Sequence, residues 1–268
     1  MMPTVTGNYG FFSGTDADRA RDINALFHDD DVKAIICLNG GYGSARILDK
    51  LDYEYIASHP KLVIGFSDVT ALQIALWEKC RLVTANGPLM VTLGGSDAYT
   101  AGQFFQGLTT DAWRGPLALP AGRKLMTVVP GQAEGPIVGG NLTVLTSLVG
   151  TPYALDGTGC ILVLEDTGED AYRIDRMLNQ LWQSGLLSRV AAIAYGDFTD
   201  CPNDPGDFTT DQVLDYYAHL AGKPAIKGLP VGHTKDKAFV PYGVKVRLDA
   251  DGEGASLTFI DVCGIRPL

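Results

Sequence analysis

One stretch combines a polar nucleophile with a turn able to expose it. At 61–72 the chain reads Lys61-Leu62-Val63-Ile64-Gly65-Phe66-Ser67-Asp68-Val69-Thr70-Ala71-Leu72. The apolar run Leu62, Val63, Ile64 has the length and character of a buried parallel strand. It breaks at Gly65-Phe66-Ser67-Asp68, and Val69, Leu72, Ala75 and Leu76 then share one face of a helical pattern. A strand, a sharp turn, a Ser and a helix make a nucleophile elbow: the turn lifts the hydroxyl clear of the backbone. The backbone N–H of Asp68 then points to where an oxyanion would form, at the positive end of the helix. Position 69 is Val where that pattern has Gly, and Ser and Asp are also ordinary helix N-caps.

Two other residues have the chemistry to serve such a Ser. Glu165 closes the apolar run Ile161-Leu162-Val163-Leu164, and a carboxylate at the end of a buried strand is well placed to orient an imidazole. It also opens an acidic loop with Asp166, Glu169 and Asp170, so a surface role stays open. His233 follows Gly232 in a polar loop, where the glycine permits a tight turn and leaves the ring facing a cleft; an ordinary polar loop residue is the alternative. His28, His59 and His219 fall on helix ends or surface turns and have weaker claims. The turn Asn39-Gly40-Gly41-Tyr42-Gly43 could cradle an anion with successive backbone N–H groups, although it is neither a Walker loop nor G-x-G-x-x-G.

These residues need elements to hold them. A helix is expected over 16–27 with Thr15 as cap, a buried strand over 32–38, short helices over 44–48 and 53–57, the elbow strand, a strand over 82–85 and a helix over 97–108. That alternation predicts a parallel sheet covered by helices, with the Gly-rich turn and Ser67 both at carboxyl ends of strands. Residues 109–136 are rich in turn signals. The expected division is therefore a nucleophile domain over 1–112, a linker over 113–123 and a mixed α/β domain over 124–268 that carries Glu165 and His233. Within the last part, helices are expected over 142–148, 172–184 and 210–220, strands over 160–164 and 190–195, and an antiparallel pair over 244–248 and 256–260.

Composition narrows the function. The 268 residues are 46% hydrophobic and 19% charged with net charge −10, an ordinary globular balance without the basic patch of a duplex nucleic-acid binder. No apolar run is long enough to span a membrane, and the N-terminus lacks the charged and apolar regions of a signal peptide. Five scattered cysteines (37, 80, 160, 201 and 263) without a C-x-x-C fit a reducing cytoplasm. No His cluster suggests a zinc site, and no cofactor is expected.

Five motifs, in order, resemble the LD-carboxypeptidases, the murein tetrapeptide carboxypeptidases related to microcin-immunity hydrolases. They are the stretch from Asn39 to Leu48, the stretch from Pro60 to Leu72, Gly139-Gly140-Asn141-Leu142, Leu164-Glu165-Asp166-Thr167-Gly168-Glu169 and Gly232-His233. The likeness runs from about Gly10 to the C-terminus. It implies a Ser67–Glu165–His233 triad, oxyanion donors at the backbone N–H groups of Asp68 and Gly41, an acyl-enzyme and release of terminal D-Ala from a muropeptide. The D-Ala carboxylate would need a cation, with Lys235, Lys237 and Arg176 as candidates. Family members commonly carry Arg where Asn39 stands and His where Asn86 stands, two positions expected to flank the cleft. They also begin with a further strand and helix that this chain lacks, which would expose a sheet edge or an apolar face. The resemblance implies homodimers, and the expectation is a two-fold dimer with residues 1–20 ordered against the partner. A peptidyl-nucleotide hydrolase of the microcin-immunity kind is the alternative within the fold, although no long loop with Trp or Phe offers a platform for the base. A non-catalytic protein holding an anion in the Gly-rich turn is the alternative outside it.

Overall fold

The computed structural model describes residues 1–109, 113–251 and 254–260. Its strands are, in chain order, β1 (Ala34–Ile36), β2 (Leu62–Gly65), β3 (Thr84–Asn86), β4 (Gly115–Pro116), β5 (Met126–Val129), β6 (Gly131–Asn141), β7 (Ile161–Thr167), β8 (Ala192–Thr199), β9 (Ala225–Lys227), β10 (Val240–Tyr242), β11 (Lys245–Ala250) and β12 (Ala255–Phe259). They form two sheets, one ordered β1-β2-β3-β10 and the other β4-β12-β11-β6-β7-β8-β9-β5. The fold is mixed α/β, with β1-β2-β3 parallel in the first sheet and β6-β7-β8-β9 parallel within the second.

The first half builds the nucleophile's platform. The helix Asp16–His28 starts where expected, with the Thr15 side chain accepting from the Asp18 N–H at 3.1 Å and two acids in the first turn. The expected strand over 32–38 pairs only through Ala34–Ile36, and Ser44–Lys50 forms a 3₁₀ rather than an α-helix. The helix Thr70–Cys80 departs most from expectation. Residues 70–76 are buried without exception, not along one face, because the helix packs on the helix Leu142–Ser147 and on β6 as well as on its own half.

The second half builds the eight-stranded sheet and sends one strand back to the first. Residues 113–123 contribute β4, which pairs with β12, and bury Trp113 and Leu117. The turn-rich stretch beyond them holds the eleven-residue strand β6. Strand β10 then crosses back to the first sheet, antiparallel to β3, with Val240 opposite Asn86 and Tyr242 opposite Thr84.

The chain's first residues pack against the chain's own first helix, which corrects the expectation that a partner orders them. The Thr4 N–H donates to Asp22 Oδ2 at 2.9 Å, Tyr9 and Phe12 bridge each other, and the Phe12 ring lies 4.8 Å from the Arg19 guanidinium and 5.0 Å from that of Arg46.

Candidate active site

Ser67 leaves the end of β2 with φ of +64°, a left-handed conformation that a non-glycine residue keeps only when its surroundings enforce it. The 3₁₀ turn Ser67–Val69 then feeds the helix Thr70–Cys80, so the elbow is formed even with Val at 69. The Gly-rich turn after β1 lies against it. A Cβ on Gly40 would stand 3.1 Å from Ser67 Cβ and 3.2 Å from its Oγ, so glycine lets this backbone approach the hydroxyl without crowding it. Asp68 ties the two loops together: its Oδ2 accepts from the Ser44 N–H at 2.8 Å, just beyond the turn.

The other two residues come from the second half. Glu165 sits in β7, opposite Asn141 of β6, at an irregularity in the β7–β8 register between Leu164 and Asp166. It is fully buried, which settles against the surface role. His233 stands in a loop pinned by Thr100, whose Oγ1 donates to the Lys235 carbonyl at 3.2 Å and accepts from the Lys237 N–H at 2.8 Å. Gly232 adopts φ of +127°, and a Cβ there would lie 2.9 Å from Glu165 Oε2.

The three side chains form one hydrogen-bonded chain. His233 Nε2 lies 3.0 Å from Ser67 Oγ, and His233 Nδ1 lies 3.0 Å from Glu165 Oε2. An ionised carboxylate only accepts, so the proton belongs on Nδ1 and the Nε2 lone pair faces the Ser67 hydroxyl. Phe66 meets the imidazole edge-on at 5.0 Å. Burial pushes the Glu165 carboxyl above its ordinary range, against the pull of the His233 hydrogen bond. The nearby Cys37 thiol is pushed up to about 12 by burial and by the Asp68 carboxylate, so it does not compete as a nucleophile.

The remaining candidates separate. Asn39 is exposed, and its Oδ1 accepts from the Gly40 N–H at 2.9 Å. Gly41 is exposed in the turn at φ of +98°. Asn86, at the end of β3, is only 2% exposed. Arg176 lies over the Tyr172 ring at 5.5 Å on an exposed helix face, and Lys235 is exposed. Lys237 has its ammonium 5.2 Å from the Phe66 ring and donates to the Thr234 carbonyl. Thr100 escaped the sequence reading altogether, because nothing local marks a helical Thr as the brace of a loop far along the chain. Among the described residues, no three His, Cys, Asp or Glu side chains are grouped to hold a metal ion.

Fold and site define a two-sheet α/β protein with a Ser–His–Glu chain where its halves meet. Family models for the LD-carboxypeptidase N-terminal and C-terminal domains match residues 1–87 and 134–248. A Bacillus subtilis (strain 168) protein named "Probable murein peptide carboxypeptidase" is 39% identical over 253 residues, covering 91% of this chain and 77% of that protein. The murein tetrapeptide carboxypeptidase of Pseudomonas aeruginosa is 33% identical, covering 92% of this chain and 82% of its own. Among solved structures, the muramoyltetrapeptide carboxypeptidase from Oxalobacter formigenes superposes with a TM-score of 0.84 at 32% identity, over 97% of this chain and 87% of that one. MccF in complex with glutamyl sulfamoyl guanosine gives 0.86 at 25% identity, over 97% and 86%. The chain belongs to the LD-carboxypeptidase family, and its relatives mark it as a carboxypeptidase.

Proposed function

We propose that the protein is a serine-type LD-carboxypeptidase that removes terminal D-Ala from murein tetrapeptides in the cytoplasm, as part of peptidoglycan recycling. The observation that carries this reading is the unbroken chain from Ser67 Oγ through His233 to Glu165, with both hydrogen bonds at 3.0 Å. His233 Nε2 takes the Ser67 proton as Oγ attacks the carbonyl of the diamino acid's L-centre, and Glu165 stabilises the imidazolium that results. The backbone N–H groups of Asp68 and Gly41 receive the oxyanion. Collapse expels D-Ala, whose nitrogen takes the proton from His233, and water then resolves the acyl-enzyme by the reverse path. Lys237, held over Phe66, is the best placed of the candidate cations for the D-Ala carboxylate.

The likeness to MccF supports a second reading, hydrolysis of a peptidyl-nucleotide. Phe11 and Tyr42 are 80% and 63% exposed, with ring centroids 6.1 Å apart, and they give the base an aromatic surface beside the Gly-rich turn.

A serine-reactive fluorophosphonate tests the shared chemistry. The expected result is one adduct at Ser67, none in Ser67→Ala and a strongly slowed reaction in His233→Ala. A protein that takes up no label at Ser67 would favour a non-catalytic binding role.

A further inference from the structure

The interior behind Glu165 contains polar atoms that the hydrogen-bonded chain does not use. The neighbouring Asp166 is fully engaged: it accepts from Asn141 Nδ2 at 2.9 Å, the Thr143 N–H at 2.9 Å, Thr143 Oγ1 at 2.8 Å and the Thr167 N–H at 2.8 Å. Glu165 takes His233 on Oε2, while its buried Oε1 has no partner among the described residues. Of the other buried side-chain atoms in that condition among the described residues, Asn86 Nδ2, Tyr242 Oη and Gln73 Oε1 lie on elements that adjoin this part of the fold. Their residues are 2%, 3% and 2% exposed.

The topology sets them on adjoining elements. Strand β10 pairs with β3, which makes Tyr242 a near neighbour of Asn86. Gln73 Nε2 donates to the Gly65 and Ala85 carbonyls at 3.1 and 2.8 Å, which sets its amide beside Asn86. The chain following β10 bonds to Ile137 of β6, the strand whose last residue lies opposite Glu165. Burial, and after it the Glu165 charge, push the Tyr242 phenol up, while the Asn86 side chain opposes them. Two of the four atoms are donors and two are acceptors, which is the set one buried water requires.

We propose that Asn86 and Tyr242 are positioning residues for Glu165: they donate to one ordered water, which donates to Glu165 Oε1 and Gln73 Oε1 and fixes the carboxylate from the side away from His233. The inference rests on Ser67, His233 and Glu165 acting as the catalytic relay. It gives β10's return to the first sheet a purpose, since that return carries the phenol behind the acid. The titratable and charged groups facing Glu165 are His233 and Lys237 from the loop, Asp166 from its own strand and Tyr242 from β10.

The sign of the effect follows. A carboxylate that loses a donor on Oε1 becomes more basic and holds the imidazole proton more tightly. Both changes move the acidic limb of activity to higher pH. Tyr242→Phe keeps the ring and removes the hydroxyl. It should lower kcat about tenfold with KM unchanged and raise the acidic limb of kcat/KM by roughly half a pH unit. Asn86→Leu keeps the volume, removes the donors and should act in the same direction, so it gives the answer if Tyr242→Phe fails to fold. A purely structural role would lower the melting temperature and leave the limb in place. Wild-type kcat and an unmoved limb in either folded variant of an active protein would overturn the proposal. A wild-type protein with no turnover and no Ser67 labelling would instead refute the relay on which it rests.

Discussion

Glu165 is the most expensive of the three site residues to place. It is wholly buried, and burial raises its carboxyl above the ordinary 4.5, so the folded chain binds that proton more tightly than the unfolded chain. Stability from this group is present below about 4.5 and is lost as pH rises through the folded value. At neutral pH the ionised carboxylate therefore opposes folding and is kept for what it does to His233. Glu165→Gln should be at least as stable as wild type at pH 8, with the difference shrinking at pH 5. It should also lose activity about 10³-fold or more, because an amide N–H facing His233 forces the wrong tautomer. Thermal melts across that range check the first part; a variant far less stable at pH 8 than at pH 5, relative to wild type, would contradict it. Ser67, Glu165 and His233 were legible because each stands at a break in pattern: after an apolar run, at the close of one, or beside a glycine. The burial of Asn86 was not, since the Gly and Pro after it mark a strand's end but not the direction of its side chain.

The secondary-structure elements explain what patterning could not show. Strand β6 was hidden because its start falls in the turn-rich stretch ending at 136 and Gly131, Gly135, Gly139 and Gly140 interrupt any apolar alternation. The structure needs two of them for close packing: a Cβ would fall 2.1 Å from the Gly159 carbonyl oxygen at Gly135 and 2.0 Å from that of Val163 at Gly139. Strand β10 is three residues with Pro241 at its centre, too short for any periodicity, and only the sheet it rejoins defines it. The helix Thr70–Cys80 was recognised, but the burial of residues 70–76 on all sides depends on a second half that its own sequence does not describe. Asn141 joins two of these elements. Its Oδ1 caps the helix Leu142–Ser147 through the Val144 N–H at 3.0 Å, and its Nδ2 donates to buried Asp166 at 2.9 Å. Asn141→Ala should therefore cost about 2 kcal/mol, measured by urea unfolding. A loss below about 0.5 kcal/mol would mean the cap and the network contribute little.

In the whole molecule, the site reports how the two sheets dock. Ser67 belongs to the first sheet, Glu165 to the second, and His233 to the loop leading into the strand that returns to the first. Any shift between the sheets would break a 3.0 Å contact. That arrangement could be foreseen from the order of the motifs, whereas the crossing-back of β10 could not. The first sheet ends at β1, a short strand on its outer edge. A homodimer is the assembly we expect, with a mass by light scattering of twice 28.6 kDa at micromolar concentration; a monomer at that concentration would contradict it. The relay is proposed to cut one particular bond. The direct measurement is to incubate L-Ala-γ-D-Glu-meso-diaminopimelate-D-Ala with the protein and with Ser67→Ala, and to follow the products by mass spectrometry. Loss of a single D-Ala is expected with the wild type and none with the variant. Intact tetrapeptide with the wild type, or equal loss with both, would contradict it.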